Sequence, residues 1–311
     1  MSCSTTLPAS FAWAPRMALC SLVFALALPT PALADTVRLG GTGAALGTMT
    51  LLAQAYKKID PSFQLEIVPN LGSSGGIKAL GAGATQIAVA SRAIKAEELA
   101  AGLHAVEYGR TAFVLATAKA DVQALTLAQI ADLYAGRQTR WGDGQPVRLV
   151  LRPASDADTP LLASFSPGIK DALTTAMARE GMVTAMTDQD SADAIERLPG
   201  GIGSSSLALL MSEHRRARAL PIDGIAPTVA NVASGRYPYV KPLYLLYKDG
   251  APPSALRFIA FVGSEAGRRI LTAAGTDVTT VRKDASAAQA AAQAATQAAT
   301  QAATQAAQPA R

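Results

Sequence analysis

Four short stretches of this 311-residue chain gather hydroxyls, glycines and guanidinium groups: Thr42-Gly43-Ala44, Gly72-Ser73-Ser74-Gly75-Gly76, Ser91-Arg92, and the run from Arg152 through Ser155, Asp156 and Thr159. A Gly/Ser turn that opens a helix leaves backbone N–H groups free at the positive end of the helix dipole, and serine or threonine adds hydroxyl donors beside them. Arginine supplies a planar fork that meets two oxygens at once. Donors of this number and type suit a tetrahedral oxyanion, whose four oxygens accept hydrogen bonds from several directions. An ordinary reading stands beside this one: the glycines supply positive φ, the serines cap helices, and Arg92 and Arg152 pair with nearby carboxylates. Asp156 and Asp158 oppose an anion unless they cap a helix, pair with an arginine, or accept a hydrogen bond from an oxyanion that keeps a proton.

The groups a catalyst would need are sparse. His104 and His214 are the only histidines, both distant in sequence from the Gly/Ser turns, and no His/Cys/Asp cluster has metal-ligand spacing. No Walker loop occurs. As nucleophiles, Ser73, Ser74 and Ser155 would need a carboxylate or Lys78 as base, whereas as hydrogen-bond donors they need no such partner. No catalytic residue, metal site or cofactor is expected.

Apolar spacing gives the elements that must position these stretches. Residues 36–39, 64–68 and 87–90 read as strands, each followed by one of the turns, with helices predicted from 46 to 56 and from 77 to 82. Strand-turn-helix units in succession predict a parallel sheet with helices on its faces, and ligands in such sheets sit beyond the carboxyl ends of the strands. Further strands are predicted at 106–108, 111–117 and 147–151, and an extended run at 237–247. Further helices are predicted at 126–134 (capped by Thr126, closed near Gly136), after a Thr159 cap with Pro160, at 169–179 and 191–197, after a Gly/Ser turn at 200–206, and at 254–262 and 264–273. The chain is expected to leave one lobe near 111–118 and return near 230–241. This predicts an α/β fold of two lobes, 35–115 with 231–284 and 116–230, with a ligand cleft between them.

Residues 1–34 have the make-up of an export signal: Arg16 as the one charge, an apolar stretch over 17–28, and small residues for cleavage after Ala34. The stretch is shorter than the roughly 20 residues a membrane span takes. Both cysteines, Cys3 and Cys20, lie in this leader, so the mature chain is expected to hold no thiol or disulfide. From Gln289 to Ala307 a four-residue unit repeats (Gln289, Gln293, Gln297, Gln301, Gln305) without making a lasting apolar stripe, and 285–311 is expected to be a solvated tail. The chain carries 28 Lys/Arg against 23 Asp/Glu, a formal +5. That mild excess favours anionic ligands, and no basic run with interleaved aromatics points to nucleic acid.

Gly41-Thr42-Gly43, Gly72-Ser73-Ser74-Gly75-Gly76-Ile77-Lys78, Ala88-Val89-Ala90-Ser91-Arg92, Tyr134-Ala135-Gly136 with Thr139-Arg140-Trp141, Gly200-Gly201-Ile202-Gly203-Ser204-Ser205, and Tyr237-Pro238-Tyr239-Val240-Lys241-Pro242-Leu243-Tyr244 resemble the phosphate-binding proteins of ABC-type phosphate uptake systems. The resemblance runs through most of 36–280. It implies the two-lobed periplasmic-binding-protein fold of type II, with phosphate in the cleft and Thr42, Ala44, Ser73, Ser74, Arg152, Ser155 and Thr159 as contacts. Gly43, Gly75, Ser91, Arg92 and Asp156 complete the expected ligand-binding set. Two positions depart from the family pattern: Ser155-Asp156-Ala157-Asp158-Thr159 stands where the family often has Ser-Gly-Thr after the arginine, and Arg92 stands where some members place an aspartate. The expectation is an exported, periplasmic, monomeric solute-binding protein that hands phosphate or a related oxyanion to an ABC-type permease, without catalysis. The alternatives are an exported phosphate-ester hydrolase, or a sensor or scavenging domain on the same fold.

Overall fold

The computed structural model describes residues 35–280; the leader over 1–34, with both cysteines, and the tail over 285–311 lie outside the described residues. The chain opens with β1 (Asp35–Gly41), which buries Val37 and Leu39 and turns at Thr42 into α1 (Gly43–Tyr56). β2 (Phe63–Val68), α2 (Gly72–Gly81), β3 (Ile87–Ala90) and α3 (Ala96–Ala100) repeat the pattern. One strand, β4 (Leu103–Thr117), covers both strands predicted at 106–108 and 111–117, because a bulge between Glu107 and Gly109 absorbs the break without ending the pairing. The middle of the chain runs α4 (Leu127–Ala135), β5 (Arg148–Leu151), α5 (Asp158–Ala163), α6 (Pro167–Ala178), β6 (Val183–Thr184), α7 (Asp188–Arg197), β7 (Gly201–Ser206), α8 (Leu207–Ser212), β8 (Arg218–Ala219) and α9 (Val229–Ala233). β9 (Val240–Lys248), α10 (Pro253–Val262), α11 (Glu265–Ala273) and β10 (Thr276–Asp277) complete it.

Local signals hold at several ends. Thr126 accepts from the Gln129 N–H to cap α4, and Gly136 closes that helix at φ 75°. Three boundaries differ from the sequence expectation. α2 starts at Gly72 rather than at 77, so the Gly/Ser string forms its first turn instead of preceding it. α5 starts at Asp158, because Thr159, the expected cap, turns its hydroxyl back onto the Pro153 carbonyl at 2.7 Å. Residues 200–206, expected as a turn, supply strand β7, whose six residues are all buried and pair with β4 on one side and β5 on the other.

The strands lie in the order β2-β1-β3-β9-β4-β7-β5-β6, with β8 and β10 pairing β4. β1 is parallel to β2 and β3, and β5 is parallel to β6 and β7; the antiparallel pairs are made by β4 and β9. β4 pairs with β9 as far as Ala112 and with β7 from Phe113 onward. The apolar core divides in the same way. One cluster holds Phe113, Ile130, Leu149, Ile169, Ile195 and Tyr237, and another holds Leu39, Leu52, Phe63, Ile87, Leu243 and Phe258. The architecture is α/β and two-lobed, with helices flanking the sheet.

Gly41 fixes the approach of β1 to β3 just before Thr42. It sits at φ 145°, and a Cβ there would lie 1.9 Å from the Val89 carbonyl oxygen. Gly41→Ala is therefore expected to destabilise the protein by at least about 2 kcal/mol, read as a lower urea midpoint. An unchanged midpoint would contradict this packing.

Candidate functional site

The carboxyl ends of β1, β3 and β5 open onto one cavity of about 610 Å³, whose lining includes Thr42, residues 70–74, Ser91, Arg92, residues 153–158, Met186, Asp188 and Lys241. Of the residues expected from the sequence, Thr42, Ser73, Ser74, Ser91, Arg92, Ser155 and Asp156 line it. Gly43, Ala44, Gly75, Arg152 and Thr159 are adjacent in sequence but are not in its lining.

Three hydroxyls run in a chain along one wall. Ser73 Oγ lies 3.3 Å from Ser91 Oγ, and Ser91 Oγ lies 3.1 Å from Thr42 Oγ1. Thr42 in turn donates to Asp188 Oδ2 at 3.4 Å. Each hydroxyl has one hydrogen to give. With the Thr42 hydrogen directed at the carboxylate, Ser91 donates to Thr42 and Ser73 donates to Ser91, while Ser73 Oγ also accepts from the Ser91 N–H at 3.0 Å. The hydroxyl hydrogens thus all run toward Asp188. The backbone N–H groups in the first turn of α2, starting at Gly72, have no acceptor within their own helix.

Two cations and three carboxylates interlock at the other wall. Lys241 of β9, 1% exposed, pairs its ammonium with Asp158 Oδ1 and, at 3.4 Å, with Asp188 Oδ1. Asp158 opens α5 and also accepts from Ser204 Oγ at 3.0 Å; Asp188 opens α7, where the nearby Ala44 backbone N–H helps to favour its charged form. Arg152 is buried, donating to Asp156 Oδ2 at 2.6 Å and to the Ala185 carbonyl at 2.9 Å, and its Nε has no partner among the described residues. Burial pushes the Asp158 carboxyl up to about 6 against the pull of Lys241, and Asp188 and Asp156 add to the rise. Burial also opposes charge on Asp188, but Lys241 and Arg152 outweigh it and hold that carboxyl below the usual range. Lys241 and Arg152 would both be lowered by burial, yet the carboxylates around them raise both.

Arg92 lines the cavity as an ion-paired group. It meets the Glu98 carboxylate at 2.6 and 3.0 Å, and its Nε donates to Ser74 Oγ at 3.3 Å. That hydrogen bond to Glu98 raises the arginine's pKa and lowers the glutamate's.

Residues 28–266 match the PBP superfamily domain. The chain belongs to the PBP superfamily. It is 27% identical over 257 residues, 77% of its own length and 81% of the relative's, to the phosphate-binding protein PstS of Bacillus subtilis (strain 168). A Clostridium perfringens structure described as a phosphate ABC transporter substrate-binding protein with bound phosphate is 27% identical, with a TM-score of 0.66 over 78% of this chain and 99% of that one. An ABC-type phosphate transport receptor from Vibrio cholerae shares the fold at 22% identity and a TM-score of 0.54, over 78% of this chain and 99% of that one.

In this PBP superfamily member, sequence reasoning missed Asp188 and Lys241 as site residues. A lysine within the extended run 237–247 was the available signal for Lys241, since a charge in a buried strand requires a partner. Asp188 reads in sequence as an ordinary acid in the first turn of a helix. The string from Gly72 to Gly76 also spells Gly-x-Ser-x-Gly, the spacing of a nucleophile elbow centred on Ser74. Here Ser74 Oγ accepts from Arg92, and neither histidine lines the cavity: His104 bonds Asp249 at 2.6 Å. No group of three or more His, Cys, Asp or Glu among the described residues is placed to hold a metal ion.

Lys241→Met would leave Asp158 and Asp188 buried without the ammonium they share, at an expected loss of about 3–5 kcal/mol. Both carboxyls would then titrate above their unfolded values, so the native state would bind more protons than the unfolded chain as pH falls. The deficit should be largest at pH 8 and smaller at pH 5, as measured by urea denaturation at both. Equal deficits at the two pH values would contradict this coupling.

Proposed function

We propose that the chain is an exported solute-binding protein that captures inorganic phosphate, or a related tetrahedral oxyanion, in the cleft between its lobes and delivers it to an ABC-type permease. The observation that carries this reading is the convergence of Thr42, Ser73, Ser74, Ser91 and Ser155 with the start of α2 on a single cavity. Free N–H groups at a helix start, hydroxyls and a nearby buried guanidinium are what a small, multiply charged guest requires. The Bacillus subtilis and Clostridium perfringens relatives, named for phosphate, support that guest.

The ligand set in this reading is Thr42, Gly43, Ala44, Ser73, Ser74, Gly75, Ser91, Arg92, Arg152, Ser155, Asp156 and Thr159. Arg152 and Arg92 supply positive potential while bonded to Asp156 and Glu98. The lobes are taken as 35–115 with 231–284 and 116–230, in keeping with the partner change of β4 between Ala112 and Phe113. The chain is taken as a monomer in this reading. Export to the periplasm with cleavage after Ala34 follows from the composition of the leader; among the described residues no helix is long and apolar enough to cross a membrane. Binding without turnover fits a cavity whose central serine is held by an arginine rather than by a base.

Calorimetric titration with phosphate, sulfate, molybdate and a phosphate monoester tests the reading. Saturable heat with phosphate is expected. Turnover of the ester would overturn the binding reading, and heat with molybdate alone would change the ligand. Arg152→Ala should weaken phosphate binding by at least about 1.5 kcal/mol, because it removes a cation that offsets three carboxylates. An unchanged dissociation constant would remove Arg152 from the site.

A further inference from the structure

The start of α1 already holds a carboxylate that belongs to the protein. Asp188 accepts from the Thr42 hydroxyl at 3.4 Å, and the Ala44 N–H beside it favours its charged form; both are donors that the family resemblance assigns to an oxyanion. The approach is built in from both sides. Gln189 donates to the Gly43 carbonyl at 3.0 Å, and a Cβ on Gly43 would lie 2.7 Å from the Asp188 Cβ. The hydroxyl chain from Ser73 through Ser91 to Thr42 is polarised toward the same carboxylate, so these hydrogens are committed inward rather than into the cavity.

We propose that Asp188 is an internal competitor for the oxyanion and a specificity-determining residue of the site. Its carboxylate holds the subsite at the start of α1, and a guest gains the Thr42 and Ala44 donors only as Asp188 withdraws from them onto Lys241. Lys241 is placed to receive it. Its ammonium stands 3.4 Å from Asp188 Oδ1, farther than the roughly 2.7–2.9 Å of a charge-assisted hydrogen bond, so that contact can tighten as the other is released. Released from the carboxylate, the Thr42 hydroxyl can donate to the guest, and Ser91 and Ser73 behind it are no longer ordered toward Asp188. The inference rests on the oxyanion reading above and adds that affinity is set by an exchange of anions at fixed donors. A guest must outbid a carboxylate, which favours tetrahedral dianions over monocarboxylates.

The test is calorimetric titration of phosphate into the wild-type chain, Thr42→Val, Asp188→Ala and the double variant, with Asp188→Asn as a second neutral variant that keeps the side-chain size. Thermal denaturation checks that each variant folds. Both Asp188 variants are expected to bind phosphate roughly tenfold more tightly, the value of one charge-assisted hydrogen bond no longer displaced. Thr42→Val is expected to weaken binding several-fold more in the Asp188→Ala background than in the wild type, where that hydroxyl is spent on the carboxylate. Unchanged or weaker binding in both Asp188 variants, or additive effects of the two substitutions, overturns the competitor and leaves the oxyanion reading standing. A wild-type chain that binds none of phosphate, sulfate and molybdate overturns both.

Discussion

The site depends on one buried cation. Lys241 sits on β9, a strand that pairs with both β3 and β4, and its ammonium meets the first residue of α5 and the first residue of α7. Through Asp188 it reaches Thr42 and so the start of α1. Four elements from distant parts of the chain are thereby held at one point. A buried ion pair of this kind adds little net stability, since the cost of desolvating the charges offsets much of their attraction. Its effect here is positional: it allows three carboxylates to lie beside a cavity suited to anions without repelling one another out of place.

Much of the frame was legible because it is encoded locally. Apolar runs and the turns after them gave β1, β2 and β3 with the helices α1 and α2, and Thr126 and Gly136 marked both ends of α4. The Gly/Ser runs at 72–76 and 200–206 have nearly the same composition and opposite fates. One opens a helix, while the other is a buried strand whose identity comes from its pairing with β4 and β5, which are distant in sequence. Composition alone could not separate them, because small residues suit both a turn and a strand squeezed between two neighbours.

The site was legible as an inventory of donors and not as a wiring diagram. Ser73, Ser74, Ser91 and Thr42 do meet, as their shared chemistry implied. What each hydrogen bonds to was hidden, since Lys241 finds Asp158 at a separation of 83 residues and Asp188 at 53. Arg92 shows the same gap at short range. Its guanidinium answers to Glu98, six residues on, which leaves it a source of field rather than a free fork.

The placement of β9 reaches beyond the site to the order of assembly. It lies between β3 and β4 in the sheet, yet it is made long after both. Until synthesis passes Lys248, the middle of the sheet is a gap with an unpaired strand edge on either side. That delay leaves two adhesive edges open to intermolecular pairing until the last long strand arrives.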